Sequence, residues 1–529
     1  MSDMKKIYIY DTTLRDGAQS EGISFSVKDK VRVVRKLDDI GIDFIEGGWP
    51  GSNPKDDEFF KEASRSLKLK KAKLVAFGST MRAGGSSATD PILKNLLKAE
   101  TSHITIFGKS WDLHVKEVLK TTTAENLAMI SSSVAFLRKK GRHVMFDAEH
   151  FFDGFEDNPE YAVNTLKAAV DGGAETVILC DTNGGTMTSR IFEVVEEVRA
   201  EIKAPLGIHV HNDSDMAVAN SVAAVQAGCI QVQGTFNGLG ERCGNANLVS
   251  IMPTLRFKLG YNCLSDFGLK ELADTSRFVA EICNVRPQDS QPYVGKSAFA
   301  HKAGVHVNAM MKNPRTYEHM DPDKVGNKRR MLISELSGKS SILGKAEELG
   351  LLIDRSSDKA KSILDLVQDM EKEGYQFELA EASLFLLMRR ASEVPKKHFK
   401  VLDLRVMVEK RGDGEIVSEA TVKVKIGDET RHTVSIGDGP VHALDQALRK
   451  SLKEFYPSLN EMHLSDFRVR VLDEKAGTAA KVRVLIQSQD KADSWWTIGV
   501  SENIIEASWL ALMDSIEYKF AKEEKRKKK

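Results

Sequence analysis

Cysteine, proline and long apolar runs are all scarce in this sequence. Five of the 529 residues are cysteines, widely spaced and without a CxxC pair, so neither a disulfide framework nor a thiolate zinc site is expected. The count of 13 prolines excludes a fibrous or disordered composition. No apolar run approaches the roughly 18 residues that a membrane span needs.

Net charge is also absent. The 76 Lys and Arg residues equal the 76 Asp and Glu residues in number. A chain without a positive field is not expected to bind nucleic acid or an anionic membrane. The N-terminal segment has a charge pair and a strand-like run where a secretory signal would have its apolar core, so we expect a cytoplasmic protein.

The remaining composition is typical of a large globular protein. Hydrophobic residues make up 41% of the chain and charged residues 29%, which allows a sizeable core. The length predicts two or three domains.

The first half of the chain has a regular rhythm of short apolar runs separated by helical patterns that end in glycine. The runs cover residues 7–13, 44–50, 73–79, 103–110, 144–152, 176–184, 206–213 and 231–240. Eight strands with helices between them predict an α/β fold, a (β/α)8 TIM barrel. The alternative is an open Rossmann-like sheet, which usually has fewer strands and a glycine fingerprint after the first, where this chain has DTTLRDG.

The second half predicts a helical linker region and then a repeated unit. After a boundary at Pro395, alternating strands return, and residues 432–448 align with 496–512 so that Ala443 falls on Ala507 and Leu448 on Leu512. This predicts a C-terminal α+β domain of two pseudo-repeated βββα units. The expected domains are a barrel over 1–285, linker subdomains over 286–394, the C-terminal domain over 395–520 and a solvated basic tail over 521–529.

Polar and ionisable residues follow the apolar runs of the barrel. In a (β/α)8 barrel the carboxyl ends of the strands form the active-site face. Those ends carry Asp11, Arg15, Asp16, Glu46, Asp147, Glu149, His150, Asp181, Thr182, His209, His211, Asn212, Asp213, Glu241 and Asn245. Core packing does not require them, so we expect a polar site at the barrel mouth.

His209 and His211 are the most specific element of this set. Residues two apart on a strand point to the same face, so the two imidazoles form half of a metal site. Asp16 and Asn245 supply oxygens from other strand ends, and such a set suits Mn²⁺, Mg²⁺, Co²⁺ or Zn²⁺. The alternative is a pair of structural histidines.

Arg15 and Glu149 each have a catalytic and a structural interpretation. Arg15 is a permanent cation that suits stabilisation of an oxyanion, or it forms a structural ion pair with Glu46. Glu149 follows an apolar run and suits general acid–base chemistry, or it is a rim carboxylate. Two further matches are dismissed, because GLGERCG (238–244) and SGKSS (337–341) lack the spacing of a dinucleotide fingerprint and of a P-loop.

Three spaced motifs resemble the isopropylmalate/homocitrate/citramalate synthase family. LRDGAQ (14–19) followed by Lys30 resembles its first motif, HVHND (209–213) with GLGERCGNANL (238–248) its second motif and metal loop, and HKAGVH (301–306) its catalytic histidine segment. One departure is Asp215, where the family often has glycine. The segments 46–56, 107–115 and 147–154 resemble the bacterial citramalate synthase branch.

The resemblance implies a condensation of acetyl-CoA with pyruvate that gives (R)-citramalate and CoA on a route to isoleucine. It implies a divalent metal on Asp16, His209, His211 and Asn245, with Arg15 stabilising the oxyanion and Thr182 holding the pyruvate carboxylate. Glu149 and His306 are the implied candidates for the base. It also implies a regulatory C-terminal domain, a homodimer and isoleucine as effector.

Three rival functions remain open at this point. An isopropylmalate synthase would act on 2-oxoisovalerate, and an acyl-CoA lyase would use the same barrel. Lyases usually lack a long C-terminal domain, so residues 395–520 favour a regulated synthase. A non-catalytic amino-acid sensor is disfavoured because all four ligand residues are present.

Overall fold

The computed structural model describes residues 4–302, 304–334, 337–353, 358–392, 397–412, 414–472, 477 and 479–528. Two compact units form, one from residues 1–299 and 320–329 and the other from residues 300–319 and 330–529. The predicted boundary at Pro395 lies outside the described residues. Among the residues described, no helix combines the length and the apolar character needed to cross a bilayer.

The first unit contains a closed barrel of parallel strands that pair in chain order. β1 is Tyr8–Asp11, β2 Phe44–Gly48, β3 Lys73–Ser79, β4 His103–Lys109, β5 His143–Glu149, β6 Thr176–Asp181, β7 Leu206–Val210 and β8 Gln231–Gly234. β8 closes the barrel on β1, with Tyr8 opposite Gln231. Each strand coincides with one predicted apolar run, β5 beginning one residue before its run, which confirms the (β/α)8 prediction.

Helices surround the barrel, and further helices follow its last strand. α1 is Val27–Ile40, α2 Pro54–Ser66, α3 Pro91–Lys98, α4 Asp112–His114, α5 Thr123–Lys139, α6 Phe151–Asp157, α7 Pro159–Asp171, α8 Thr188–Glu201, α9 Ala217–Ala227, α10 Leu248–Phe257, α11 Asp266–Lys270 and α12 Leu272–Ile282. A π-helical turn, Val115–Leu119, follows α4.

Local sequence fixes the helix ends. A reciprocal capping box between Ser26 and Asp29 starts α1, and Gly41 ends it with φ +93°, a left-handed conformation that glycine adopts without strain. Asn53 caps α2 and Pro54 occupies its first position, where the missing N–H of proline has no cost. The same pairing of cap and proline starts α3 and α7.

The second unit holds short linker elements followed by two three-stranded antiparallel sheets. Its helices are α13 Gly304–Lys312, α14 Lys339–Glu348, α15 Lys359–Lys372, α16 Glu381–Ser392, α17 Pro440–Leu452 and α18 Ile504–Lys528. Its strands are β9 Ala300–His301, β10 Arg330–Met331, β11 Lys400–Lys410, β12 Ile416–Ile426, β13 Glu429–Gly437, β14 His463–Val471, β15 Val482–Gln489 and β16 Ser494–Ser501. β11–β13 with α17 and β14–β16 with α18 are the two predicted βββα units.

A shared hydrogen bond supports the internal repeat. The hydroxyl of Thr433 in β13 donates to the carbonyl of Ala447 in α17 at 2.8 Å. The hydroxyl of Thr497 in β16 donates to the carbonyl of Ala511 in α18 at 2.7 Å. Both pairs lie at equivalent positions of the predicted alignment, so each helix docks on its last strand in the same way.

The segment over 521–529, which we expected to be a solvated basic tail, continues helix α18 through Lys528. Phe520 and Ala521 are buried, and Glu524 pairs with Arg389 at 2.5 Å. Apolar contacts on one side therefore hold a segment whose charges favour solvent.

α16 belongs to the same hydrophobic core as the last sheet. Leu384 and Phe385 of α16 pack in one cluster with Leu485 of β15, Ile498 of β16 and Ala521 of α18. Removing the chain after α16 would expose this apolar face to water.

A histidine pair at the amino-terminal end of the barrel predicts a pH dependence of stability. His103 stacks on His143 with ring centroids 4.6 Å apart, and burial followed by the His143 charge lowers the pKa of His103 to about 4. Between pH 6.5 and 4 the unfolded chain therefore binds a proton at His103 that the folded chain does not. The free energy of unfolding should fall as the pH drops through this range.

Urea denaturation of the wild type and of His103→Phe between pH 7 and 4.5 measures this contribution. The phenylalanine keeps the stacking but cannot titrate, so its stability should fall less steeply. Parallel curves for the two proteins would show that His103 does not contribute.

Candidate active site

The carboxyl ends of the barrel strands surround a cavity of about 200 Å³. Its lining mixes ionisable and aromatic side chains, namely Arg15, Asp16, Gln19, Trp49, Phe77, Phe107, Asp147, Glu149, Cys180, Thr182, His209, His211 and Glu241. Most of the residues predicted from the strand ends therefore meet at one place.

Asp16, His209 and His211 form a compact ligand cluster. One ligand atom from each residue lies within 4.8 Å of the others. The Nε2 atoms of the two imidazoles are 3.4 Å apart, and Nε2 of His209 lies 3.3 Å from Oδ2 of Asp16. All three side chains are buried, so few waters compete for these atoms.

Asn245 lies beside this cluster through the backbone. It forms an isolated antiparallel bridge with His211, and its Nδ2 donates to the Leu239 carbonyl at 3.3 Å, which fixes the orientation of the amide. Its Oδ1 is buried and has no hydrogen-bond partner. A buried acceptor without a partner costs about 1–3 kcal/mol, and a cation would satisfy it. The four residues therefore fit a divalent metal ion.

Electrostatics favour the metal-binding forms of Asp16 and His211. Burial raises the pKa of Asp16, but Arg15 and the hydrogen bond with His209 outweigh it and hold that pKa well below its usual value. Burial, followed by the neighbouring His209, lowers the pKa of His211 to about 3. At neutral pH the carboxylate is ionised and the His211 ring is neutral, which are the forms that bind metal.

Arg15 contacts three groups of the site at once. Its Nε donates to Oε1 of Glu46 at 2.5 Å, and its Nη1 lies 3.2 Å from Oδ2 of Asp16. Its guanidinium lies 3.8 Å above the ring of Phe77. The ion pair with Glu46 and a place next to the metal ligand, given as alternatives from sequence, occur together.

Glu149 and Thr182 occupy the ends of neighbouring strands. Glu149 ends β5 and forms an ion pair with Lys109, its partner residue at the end of β4. The Thr182 hydroxyl accepts a hydrogen bond from the backbone N–H of His150 at 2.9 Å. The hydroxyl proton of Thr182 is thus left to donate to a ligand.

Three aromatic rings form one wall of the cavity. Trp49 meets Phe77 and Phe107 edge-on, with ring centroids 5.8 and 5.6 Å away, and the two phenylalanines stack at 5.5 Å. Lys109 lies 5.5 Å above the Phe107 ring. The wall is apolar and rigid, which limits the size of a bound molecule.

Lys30 belongs to the first motif by its spacing from LRDGAQ. Its side chain helps to position Trp49, one ring of this wall. Its buried ammonium donates to the Gly47 carbonyl at 2.8 Å and to Oδ1 of Asp56 at 2.5 Å. Oδ2 of Asp56 accepts from the backbone N–H of Trp49 at 2.9 Å. The pair therefore fixes the loop that presents Trp49.

His306 belongs to the other compact unit. Its ring stacks on Tyr317 with centroids 4.2 Å apart. Nearby, Nε2 of His301 pairs with the buried Glu318 at 3.2 Å. Both histidines of HKAGVH are thus tied to consecutive residues, Tyr317 and Glu318.

Comparison with known proteins assigns the chain to a family. The HMGL-like family model matches residues 6–279, the homocitrate synthase post-HMGL domain-like model 293–374, and the LeuA allosteric (dimerisation) domain model 378–520. The (R)-citramalate synthases of Aquifex aeolicus and Geobacter sulfurreducens are each 54% identical to this chain over 522 residues, which cover 98% of it and 99% of theirs. The chain belongs to the citramalate synthase family.

This membership confirms the resemblance drawn from the motifs. The 2-isopropylmalate synthase of Methanocaldococcus jannaschii is more distant, with 30% identity over 98% of this chain and 96% of its own. Asp215, the departure from the family pattern, has φ +58°, a conformation that glycine adopts more easily. This chain therefore holds an aspartate in a left-handed backbone conformation at this position.

Two residues that contact the site were missed from sequence. Lys109 ends the apolar run of β4, and the strand-end rule would have found it. Gln233 lies within β8, is fully buried and contacts Nδ1 of His209 at 2.9 Å. A glutamine inside a strand has no sequence signal that separates it from ordinary packing.

Proposed function

We propose that the protein condenses acetyl-CoA with pyruvate and hydrolyses the thioester formed, giving (R)-citramalate and CoA. The observation that carries this proposal is 54% identity to (R)-citramalate synthases along nearly the whole of both chains. The cluster of Asp16, His209 and His211 supports it, because this chain keeps buried ligands at the barrel mouth.

Asp16, His209, His211 and Asn245 would hold the divalent ion, which we take to be Mn²⁺, Mg²⁺, Co²⁺ or Zn²⁺. Bound there, it supplies Lewis-acid chemistry, since a cation polarises a carbonyl oxygen and stabilises negative charge. The unpartnered Oδ1 of Asn245 supports a fourth protein ligand.

Arg15 and Thr182 orient the keto acid. The Thr182 hydroxyl, whose oxygen already accepts from His150, donates to the pyruvate carboxylate. Arg15 is fixed by Glu46 and Phe77, so its charge is already in place to stabilise the oxyanion as it develops.

Glu149 removes a proton from the acetyl methyl group, with His306 as the other candidate for this step. Lys109 forms an ion pair with the Glu149 carboxylate and holds it at the end of β5. The nucleophilic carbon then attacks the ketone, and hydrolysis of the thioester makes the reaction irreversible.

A substrate panel tests the function. CoA release from acetyl-CoA should be fastest with pyruvate and much slower with 2-oxobutyrate, 2-oxoisovalerate and 2-oxoglutarate, because the rings of Trp49, Phe77 and Phe107 border the cavity and restrict the size of the keto acid. EDTA should abolish release, and added Mn²⁺ or Co²⁺ should restore it. Preference for 2-oxoisovalerate would instead indicate an isopropylmalate synthase, and CoA release unaffected by EDTA would contradict the metal assignment.

We further propose that the βββα units form a homodimer and bind isoleucine as an inhibitor. Residues 378–520 match the LeuA allosteric (dimerisation) domain. An irreversible first step is also an effective place for feedback inhibition of a biosynthetic route. The cytoplasm is the proposed location, because Cys180, Cys229, Cys243, Cys263 and Cys283 are all unpaired, as expected in a reducing compartment.

Isoleucine should lower the activity of the full-length protein. An effector acts by binding two states differently, with a coupling of about 1–3 kcal/mol, or 5–150-fold in affinity. Titrations with isoleucine, leucine and valine, with sedimentation to measure the oligomeric state, check this. Truncation near Pro395 is a poor test because α16 shares its core with β15, β16 and α18. Indifference to all three amino acids would refute the sensor role.

A further inference from the structure

A line of buried polar groups extends from the ligand cluster into the barrel. Gln233 of β8 lies between His209 of β7 and Asp147 of β5, and all three are buried. Nδ1 of His209 is 2.9 Å from Oε1 of Gln233. Nε2 of Gln233 donates to Oδ1 of Asp147 at 3.0 Å. The side chains of the three residues thus form one hydrogen-bonded chain.

The Asp147 carboxylate fixes the orientation of the Gln233 amide in this row of hydrogen bonds. Oδ1 of Asp147 accepts from Nε2 of Gln233, so the amide turns its nitrogen toward Asp147 and its oxygen toward His209. That oxygen only accepts, so Nδ1 of His209 must carry the ring proton. With the proton on Nδ1 held by Gln233, the nitrogen that would give up its hydrogen bond to Asp16 and ligate a cation is Nε2, which faces Asp16 and His211.

We propose that Asp147 and Gln233 are positioning residues that fix His209 in the tautomer competent to bind the metal. The inference deepens the proposed function and depends on its metal site. A metal-bound histidine usually donates its other N–H to a carboxylate or carbonyl. Here the acceptor is the amide oxygen of Gln233, and Asp147 across the barrel fixes the orientation of that amide. In the described part of the chain Nδ1 of His211 has no hydrogen-bond partner, so the device acts on one of the two imidazoles.

Gln231 provides a matched control on the same strand. It lies two residues before Gln233, on the same face of β8, and is also buried. Its Nε2 contacts Sδ of Met145 at 3.4 Å. Gln231→Leu therefore removes a buried amide of the same size from the barrel interior without removing the contact with His209.

The experiment measures binding of Co²⁺ alone to the metal-free full-length protein, by competition with a chromophoric chelator and by the visible absorbance of the ion. Gln233→Leu should weaken binding about 10- to 100-fold and change the absorbance, whereas Gln231→Leu should match the wild type. Asp147→Asn keeps the shape of the side chain but allows the Gln233 amide to flip. It should therefore weaken Co²⁺ binding by less than Gln233→Leu does. It is also the variant to use if Gln233→Leu does not fold.

Wild-type affinity in both Gln233→Leu and Asp147→Asn would overturn the inference. So would an equal loss in Gln231→Leu, because the effect would then be one of packing. His209→Ala separates this failure from that of the metal site. If only His209→Ala loses Co²⁺ binding, the metal site is supported but the positioning role of Asp147 and Gln233 is not. If His209→Ala retains Co²⁺ binding, the metal site itself is refuted.

Discussion

Replacing His209 or His211 by alanine should lower turnover by about a thousandfold or more while leaving the fold intact. Each substitution removes one of the nitrogens that lie within 4.8 Å of the Asp16 carboxylate and of each other. Metal ions supply several kcal/mol of charge stabilisation to such reactions, and roughly 4 kcal/mol corresponds to about a thousandfold in rate. The rings line the mouth cavity, so their loss creates no void in the hydrophobic core.

The measurement combines turnover, metal content and circular dichroism for each variant. His143→Ala is the control, because His143 starts β5 at the opposite end of the barrel and its side chain is 51% exposed. It should keep full activity and metal content. Near-normal turnover in either His209→Ala or His211→Ala would refute the assignment of these residues as ligands.

Glu149→Gln should lower turnover by about 10²- to 10⁴-fold with little change in the Michaelis constant for pyruvate. The amide keeps the shape of the side chain but cannot transfer a proton, and a positioned general base contributes about that factor. It also loses the charge that pairs with Lys109, so the ammonium is left beside a neutral group.

Steady-state kinetics with pyruvate and acetyl-CoA separate the two roles of Glu149. Glu175→Gln is the matched control, because Glu175 also pairs with a cation, Arg138, but precedes β6 at the amino-terminal end of the barrel. It should retain wild-type kinetics. A change confined to the Michaelis constant in Glu149→Gln would make Glu149 a binding residue and leave His306 as the sole candidate base.

The barrel could be predicted because its strands are buried on both faces. Each is then an almost unbroken apolar run, as in TVILCD of β6, and its end is marked by the first polar side chain. The same-face rule then placed His209 beside His211 without knowledge of the fold. The alignment of Ala443 with Ala507 similarly predicted the two βββα units, because both alanines pack a helix on its sheet.

Other features depend on tertiary context that periodicity does not contain. Gln233 of β8 packs between His209 of the neighbouring β7 and Asp147 of β5, across the barrel. This placement is set by barrel closure, which no local pattern encodes. The helix that continues through the basic C-terminal segment is held by Phe520 and Ala521 in a remote core, while its charges alone favour solvent. The ion pair of Lys109 with Glu149 could have been predicted, because Lys109 also lies at the carboxyl end of a barrel strand.

The aromatic wall restricts how this enzyme could be adapted to bulkier keto acids. Enlarging the cavity means shrinking a ring, but Phe77 supports the guanidinium of Arg15 and Phe107 lies under the ammonium of Lys109. Trimming either ring would gain volume and also loosen a cation that pairs with Asp16 or with Glu149. Trp49 has no such cation among the described residues, so it is the position where laboratory evolution or natural drift could widen the substrate range while both charges keep their supports.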